Sequence, residues 1–599
     1  VFSARISAPR VQVHISTTSR LPKASGIQAP SGTFRRFEEM KTMSRVASGT
    51  VGVTGTAGDG TSSDNHGIEL GSAIQTSTGA VTLVGTGGAG TTSNKGIFVS
   101  GSSGTVTSTS GNIQLTGTGG AGTGDSNRGI EVRALIQTGG SGTVTLTGTG
   151  GSAGTDFNRG VMFDGASSGI RTADGNIVVT GTGNGSAGTE NRGVVVEGQA
   201  TIGSTGTGAL TMTGNGTTTS PGIQLQNLGK IQTAGSAQLS AGSGSTLEVD
   251  NGTVKASGTL RLAADSSIVL KNNAQIGPSG ATPVAITVNS DADANSSGNI
   301  QLTSGASIVS SGGSIVLGGG AAAAGYAKGT GTTQADASGI YIAGDITAGS
   351  GNVTLRGSGA SGFATADGVA MVGGTLSSNG TITIDGQAQA WHANPGCAGV
   401  CDFVAGVHFM NAGTRIATTS GAVNITGGTL NVTATVSPTK DSYILIDNDG
   451  SDPIVGTFTD VPEGKVISVG GALAYVTYRG GDGNDLAIVT TAAVSGVIYN
   501  DVNSDHQRQP TEPGLAGWIV FDDANGNGRL DANEPNTTTN SSGQFTLAGL
   551  SPGTHRITEV IKPGWTQSAP DISTTSLLRF VQFHRDGASG VDGLDGAWG

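Results

Sequence analysis

Twelve residues late in the chain carry its most specific chemistry: Asp523-Ala524-Asn525-Gly526-Asn527-Gly528-Arg529-Leu530-Asp531-Ala532-Asn533-Glu534. Side-chain oxygens fall at positions 1, 3, 5, 9 and 12 of this run. Gly528 stands at position 6, where a loop that wraps a cation must turn sharply, and Arg529 at position 7 offers its carbonyl. Calcium takes about six to eight oxygens, and this spacing gathers them round one point. The expected ligands are therefore Asp523, Asn525, Asn527, Arg529, Asp531 and Glu534. The plain alternative is an Asp/Asn-rich β-turn that holds no metal. A second, degraded run precedes it, from Asp501 to Glu512. Asp501, Asn503, Asp505 and Glu512 keep positions 1, 3, 5 and 12, and Gln507 holds position 7. His506 replaces the glycine and Gln509 the usual acid, so weaker binding is expected there.

The segments around both loops are Gly496-Val497-Ile498-Tyr499, Glu512-Pro513-Gly514-Leu515-Ala516-Gly517-Trp518, Gly543-Gln544-Phe545, Leu550-Ser551-Pro552-Gly553-Thr554-His555 and Gly564-Trp565-Thr566-Gln567. Residues 494–570 resemble the serine–aspartate repeat protein B-type (SdrD B-like) domain of bacterial surface proteins. The resemblance implies an immunoglobulin-like β-sandwich with structural calcium. Tyr499, Trp518, Phe521, Phe545 and Trp565 are expected in its core. Residues 571–599 do not supply the last strand that the resemblance implies and are left unassigned.

Most of the chain must be built differently. A glycine followed by apolar, variable and apolar residues recurs nine times, from Gly67-Ile68-Glu69-Leu70 to Gly406-Val407-His408-Phe409. The first six glycines lie 29, 33, 31, 33 and 29 residues apart. That period marks stacked supersecondary units. Two apolar side chains on either side of a variable one give a strand with two residues in and one out. A second strand precedes each copy (Val81-Thr82-Leu83, Ile113-Gln114-Leu115, Val144-Thr145-Leu146). A third follows (Ile136-Gln137-Thr138, Ile231-Gln232-Thr233). Three strands per unit, separated by Gly, Ser, Thr, Asn and Asp, describe one coil of a β-solenoid. Residues 50–440 predict roughly 12–15 coils at about 4.8 Å per coil, a rod of roughly 60–70 Å. With 106 glycines, 4% aromatic and 12% charged residues, the chain suits a narrow stack better than a wide core.

Columns of polar residues should run along that stack. Asn65, Asn94, Asn127, Asn158 and Asn191 precede successive glycines and can bond from coil to coil. His66, Lys95, Arg128, Arg159 and Arg192 follow them. Their like charges repel unless compensated, and Asp64, Asp125, Asp156 and Glu190 are the expected partners. The column reads as a solvated, locally paired stripe, or as a groove for an acidic polysaccharide. A solenoid hydrolase or lyase would need clustered carboxylates. Asp164, Asp174, Glu197, Glu248, Asp250 and Asp265 look scattered, so no enzyme is expected.

Segments such as Gly111-Asn112-Ile113-Gln114-Leu115-Thr116-Gly117 resemble filamentous-haemagglutinin-type and autotransporter-passenger solenoids, which implies a secreted adhesin-like surface protein. Residues 441–491 change character and read as a cap on the open end of the rod. Within them Gly480–Leu486 is similar to a single RTX calcium repeat, but one copy is expected to be a tight turn. Cys397 and Cys401 read as a small disulfide in an enlarged loop, with a zinc site using His392 and His408, or a free or redox pair, as the alternatives. The net charge of −12 argues against a nucleic-acid partner. No apolar run is long enough for a transmembrane helix. Residues 1–49 are basic and lack an apolar signal-peptide core; they are left unassigned, with no structure assigned to residues 1–45. The residues given show no membrane-barrel translocator and no wall-anchor motif.

The reading is an all-β chain: a right-handed parallel β-solenoid (β-helix), then a cap, then an immunoglobulin-like β-sandwich. The expected function is that of a secreted or cell-surface structural or adhesion protein of a bacterium. The expected cofactor is calcium, and the expected partner an extracellular polysaccharide or a host or neighbouring cell surface. The alternative is a carbohydrate-active β-helix enzyme.

Overall fold

The computed structural model of the chain describes residues 11–16 and 49–566, apart from 59–62, 102–103, 187, 189, 218, 296, 362–365, 388–406, 411–414, 419–422, 426–429, 434–441, 449–452, 459–460, 481–482, 491, 504–507 and 551–554. These residues fall into two units. One holds the described residues up to Val432 together with Ile446–Asp460, and the other holds the remainder.

The first unit is a parallel β-solenoid. Each repeat contributes three short strands, and equivalent strands of successive repeats pair in parallel. The first face begins Thr50–Thr56, Val81–Thr86, Ile113–Thr118, Val144–Thr149. The second carries the glycine-led strands Ile68–Leu70, Ile97–Val99, Ile130–Val132, Val161–Asp164. The third begins Ile74–Thr76, Val106–Ser108, Leu135–Thr138, Gly169–Thr172. The second face has 13 strands. At one rung per coil and a spacing of about 4.8 Å these strands span roughly 60 Å.

Alternation sets the register. Val81 pairs with Ile113, Ile113 with Val144, Val144 with Ile177 and Ile177 with Leu210. All five are buried, so the core is a ladder of β-branched and leucine side chains. A one-residue slip would turn every one of them to solvent. On the third face the inward column also carries hydroxyls, at Thr76, Thr138, Thr172 and Ser204. Each bonds a turn carbonyl: Thr76 to Gly79 at 2.7 Å, Thr138 to Gly111 at 3.2 Å, Thr172 to Gly175 at 2.7 Å and Ser204 to Gly208 at 2.7 Å. These bonds satisfy buried polar groups that would otherwise cost about 1–3 kcal/mol each.

Glycine has a steric role where the first face meets the second. A Cβ on Gly117 would lie 2.2 Å from the Gly129 carbonyl oxygen, and Gly55, Gly148 and Gly181 are as tightly confined. That inward position of the strand therefore admits no side chain.

Residues 11–16, left unassigned from the sequence, form a strand antiparallel to Thr50–Thr56. It covers the backbone edge that the first rung would otherwise expose. The variable residue of the glycine-led strand, expected outward, is buried at Glu131, Met162, Val195, Gln224 and Ala370. Helix is confined, among the described residues, to the short turn Gln334–Ala337, capped by Thr333. Among the described residues no helix is long and apolar enough to cross a membrane.

The second unit is also all-β, built from small antiparallel sheets. Val466–Val469, Ala472–Gly480 and Asp485–Thr490 form a meander. Ala492–Val497 pairs with Gln544–Leu550. Ile519–Asp522 lies between Asn536–Thr538 and Ile557–Glu559. Ile498, Tyr499, Trp518, Val520, Phe545 and Leu547 form the core of this part, with Trp565 packed against it. Trp518 and Trp565 meet edge to face at 5.4 Å. Phe521 is fully buried. The five aromatics expected inside are thus inside or against the core. Gly483 donates its N–H to the Gly480 carbonyl at 2.8 Å, the tight turn expected there.

Candidate functional site

The twelve-residue loop is suspended between Ile519–Asp522 and Asn536–Thr538. Asp523 and Glu534, its first and last residues, are buried, while Asn525, Asn527 and Asp531 face outward. Asp523 accepts the N–H groups of Asn527 and Gly528, each at 2.9 Å. Glu534 accepts those of Ala524 at 3.0 Å and Asp531 at 2.9 Å, which closes the loop on itself. Asp531 Oδ2 takes the amides of Asn525 at 2.7 Å and Asn527 at 2.8 Å. Gly528 has φ +71°, the left-handed conformation that position 6 requires. The side chains of positions 1, 3, 5, 9 and 12 are therefore all held in or against one turn. Among the described residues no three His, Cys, Asp or Glu side chains are grouped as a metal site. The loop's donors are instead three carboxylates, two Asn amides and the Arg529 carbonyl, a set of hard oxygens that fits calcium. Arg556 Nε lies 3.5 Å from Asp523 Oδ2 and shares that carboxylate.

The degraded loop shows the same closure. Glu512 accepts the N–H groups of Val502 at 2.9 Å and Gln509 at 3.0 Å, positions 2 and 9, as Glu534 does in its loop. Asp501 is fully buried and Asn503 exposed. Asp505 and Gln507 lie outside the described residues, as do Cys397, Cys401 and His392.

On the solenoid the asparagine ladder forms, but chiefly from side chain to backbone. The side-chain oxygens of Asn94, Asn127, Asn158 and Asn191 accept the backbone N–H of the asparagine one coil earlier at 3.0–3.1 Å. Asn94 adds an amide-to-amide bond, to Asn127 at 2.9 Å.

The basic column next to it is paired but not solvated. Lys95, Arg159 and Arg192 are buried, with Arg128 nearly so. Glu190 is a partner as expected, but Glu131 and Glu197 were not expected and Asp125 and Asp156 do not serve. Glu131, fully buried at the variable position, meets Arg128 at 2.5 Å, Arg133 at 2.8 Å and Lys95 at 3.5 Å. Arg159 lies between Glu190 at 3.0 Å and Glu197 at 3.4 Å, and Arg192 also pairs with Glu190. Asp125 and Asp156 instead accept backbone N–H groups from the next coil. Basic stems lie against the variable column at Glu131 and Met162; Arg159 Nη1 reaches Met162 Sδ at 3.3 Å.

Electrostatics follow the burial. Burial pushes the Glu131 carboxyl up, but Arg128, Lys95 and Arg133 outweigh it and hold it below the usual range. Burial lowers Lys95 and Arg159. Burial, helped by Lys95, lowers His66 to about 4. His66 is therefore neutral near pH 7, and its 3.9 Å approach to Asp64 is not an ion pair. These cations are bound up within the wall, which disfavours the acidic-polysaccharide groove.

The acids that look scattered in sequence are partly gathered by register. Asp164 sits beside Glu197 on the next rung, and Gln226 beside Asp250. Each acid already has a polar partner: Asp164 meets Arg133 at 3.3 Å, Glu197 takes Arg159 and Gln226, and Asp250 lies 3.6 Å from Lys271. Glu248 meets Lys271 at 3.2 Å. Asp174 accepts the Thr207 N–H at 3.0 Å, and Asp265 that of Gly244 at 3.4 Å.

The first face is chemically plain. From Thr50–Thr56 to Leu210–Asn215 its six strands contain no charged and no aromatic residue. Its outward positions are mostly threonine.

No family model matches this chain, no curated protein is similar to it, and no solved structure matches it.

Proposed function

We propose that this chain is a secreted or cell-surface structural or adhesion protein of a bacterium. The solenoid presents an extended repetitive surface, and the second unit carries a calcium-stiffened module of the immunoglobulin-like, SdrD B-like kind. The observation that carries the reading is the state of the solenoid's charges. Glu131 is saturated by three cations, and the neighbouring acids are bonded to side chains or backbone of the same wall. Such a wall is built to stand as a scaffold rather than to exchange protons with a substrate. Calcium, when bound, would supply charge to lock the loop; Asp523, Asn525, Asn527, Asp531, Glu534 and the Arg529 carbonyl would hold it.

The carbohydrate-active alternative draws on the Asp164–Glu197 neighbours, since paired carboxylates on adjacent coils are what glycan cleavage needs. The two readings separate in one experiment. The purified full chain is offered acidic and neutral polysaccharides and whole cells, and both retention and release of shortened products are measured. Retention without products supports the scaffold. Products that vanish in Asp164→Asn or Glu197→Gln would replace it with the enzyme. Neither retention nor products would leave the adhesive reading without support.

A further inference from the structure

We propose that the first face of the solenoid binds an ordered lattice of water, the surface of ice. Thr116, Thr118, Thr147, Thr149, Thr180 and Thr182 occupy two outward columns in unbroken parallel register. Rungs repeat at about 4.8 Å, and positions two apart on a strand at roughly 6.7 Å. The result is a regular two-dimensional array of hydroxyl and methyl groups, on the scale at which oxygen rows repeat in hexagonal ice.

The hydroxyls themselves point to the occupant. On the third face, inward Thr and Ser hydroxyls each find a turn carbonyl. None of the six outward hydroxyls named above bonds any protein group among the described residues. A dry protein partner, including a second copy of this face, would strand each of them at about 1–3 kcal/mol. The occupant must therefore donate and accept hydrogen bonds at every site. It must also be neutral, because six successive strands of the face carry no charge. A crystalline neutral glycan meets both conditions, but sugar rings are gripped by flat aromatic side chains, and these strands have none. An ice lattice needs no such platform. The inference goes beyond the adhesive reading, is independent of the calcium loop, and is tested without cells.

The test is partition of the labelled full chain into slowly grown polycrystalline ice, with ice recrystallisation as a second readout. Three variants are compared. Thr116→Lys/Thr147→Lys/Thr180→Lys disrupts the array at exposed or half-exposed positions. Thr116→Val/Thr147→Val/Thr180→Val keeps shape and strand preference but removes hydroxyls. Gln137→Lys/Gln232→Lys adds charge on the exposed positions of the third face. Wild type and the third-face variant should enter the ice and slow recrystallisation. The lysine triple should be excluded, and the valine triple should lose much of the effect with an unchanged circular dichroism spectrum. Exclusion of the wild type from ice overturns the proposal, as does equal partition of all forms. Exclusion from ice combined with retention on crystalline cellulose would reassign the face to a neutral glycan.

Discussion

Glu559 offers a sharp test of the second unit. It ends the strand Ile557–Glu559, paired opposite Val520 of the core. It is 4% exposed, and its Oε2 has no hydrogen-bond partner. Burial pushes its carboxyl from the ordinary 4.5 up to about 8. A folded value raised above the unfolded one means stability is fully present below pH 4.5 and is lost as pH rises through 8. At pH 7 the chain sits about 2.5 units above the unfolded value, which at about 1.4 kcal/mol per unit amounts to ~3 kcal/mol. Glu559→Gln keeps the shape and removes the titration. It should match the wild type near pH 4.5 and exceed it by ~3 kcal/mol at pH 7. Urea unfolding of the full chain in chelator, with Trp391 and Trp598 replaced by Phe so that Trp518 and Trp565 carry the fluorescence, reads this part of the structure. The reasoning fails if the two midpoints move in parallel between pH 4.5 and 7.

Further outcomes are expected along the chain. Glu534→Gln and Asp523→Asn should abolish calcium binding by the main loop in calorimetry, along with the thermal shift it gives. For the wild type that shift should correspond to ~2.7 kcal/mol at a calcium concentration about 100 times Kd. Glu131→Gln leaves Lys95, Arg128 and Arg133 without their common counter-charge and should destabilise coils two to four by about 3–5 kcal/mol, seen as new proteolytic cleavage there. Asn127→Ala strips the Asn94 backbone N–H of its acceptor and should cost about 1–3 kcal/mol, with faster amide exchange localised to Asn94. Because the His66 value is lowered, its contribution is complete above pH 6.5 and is lost as pH falls through about 4. Amide exchange in the first coils should therefore rise on acidification in the wild type and less so in His66→Gln.

The strands were legible because the glycine-led repeat encodes period two directly, and burial leaves one register. The asparagine ladder was legible for the same reason: residues one period apart must stack. The twelve-residue loop was legible because the spacing of its oxygen-bearing residues is local. The partners of the basic column were legible only at Glu190, because Glu131 reads as an outward residue until Arg128 folds across it. Proximity in sequence suggested Asp125 and Asp156, whereas cross-coil backbone N–H groups reach those acids first. The Asp164–Glu197 adjacency was hidden because 33 residues separate them in sequence and one rung separates them in space.

By itself the sequence determined what repeats and what alternates: an all-β stack, its inward columns, and a twelve-residue loop of hard oxygens. These follow from local periodicity and fixed ligand spacing, which need no partner from elsewhere in the chain. Only the tertiary structure decided which charges meet, which nominally outward residues are buried, and which hydroxyls are left facing solvent. Those outcomes depend on how side chains from successive coils compete for the same neighbours, and that competition exists only once the coils are stacked.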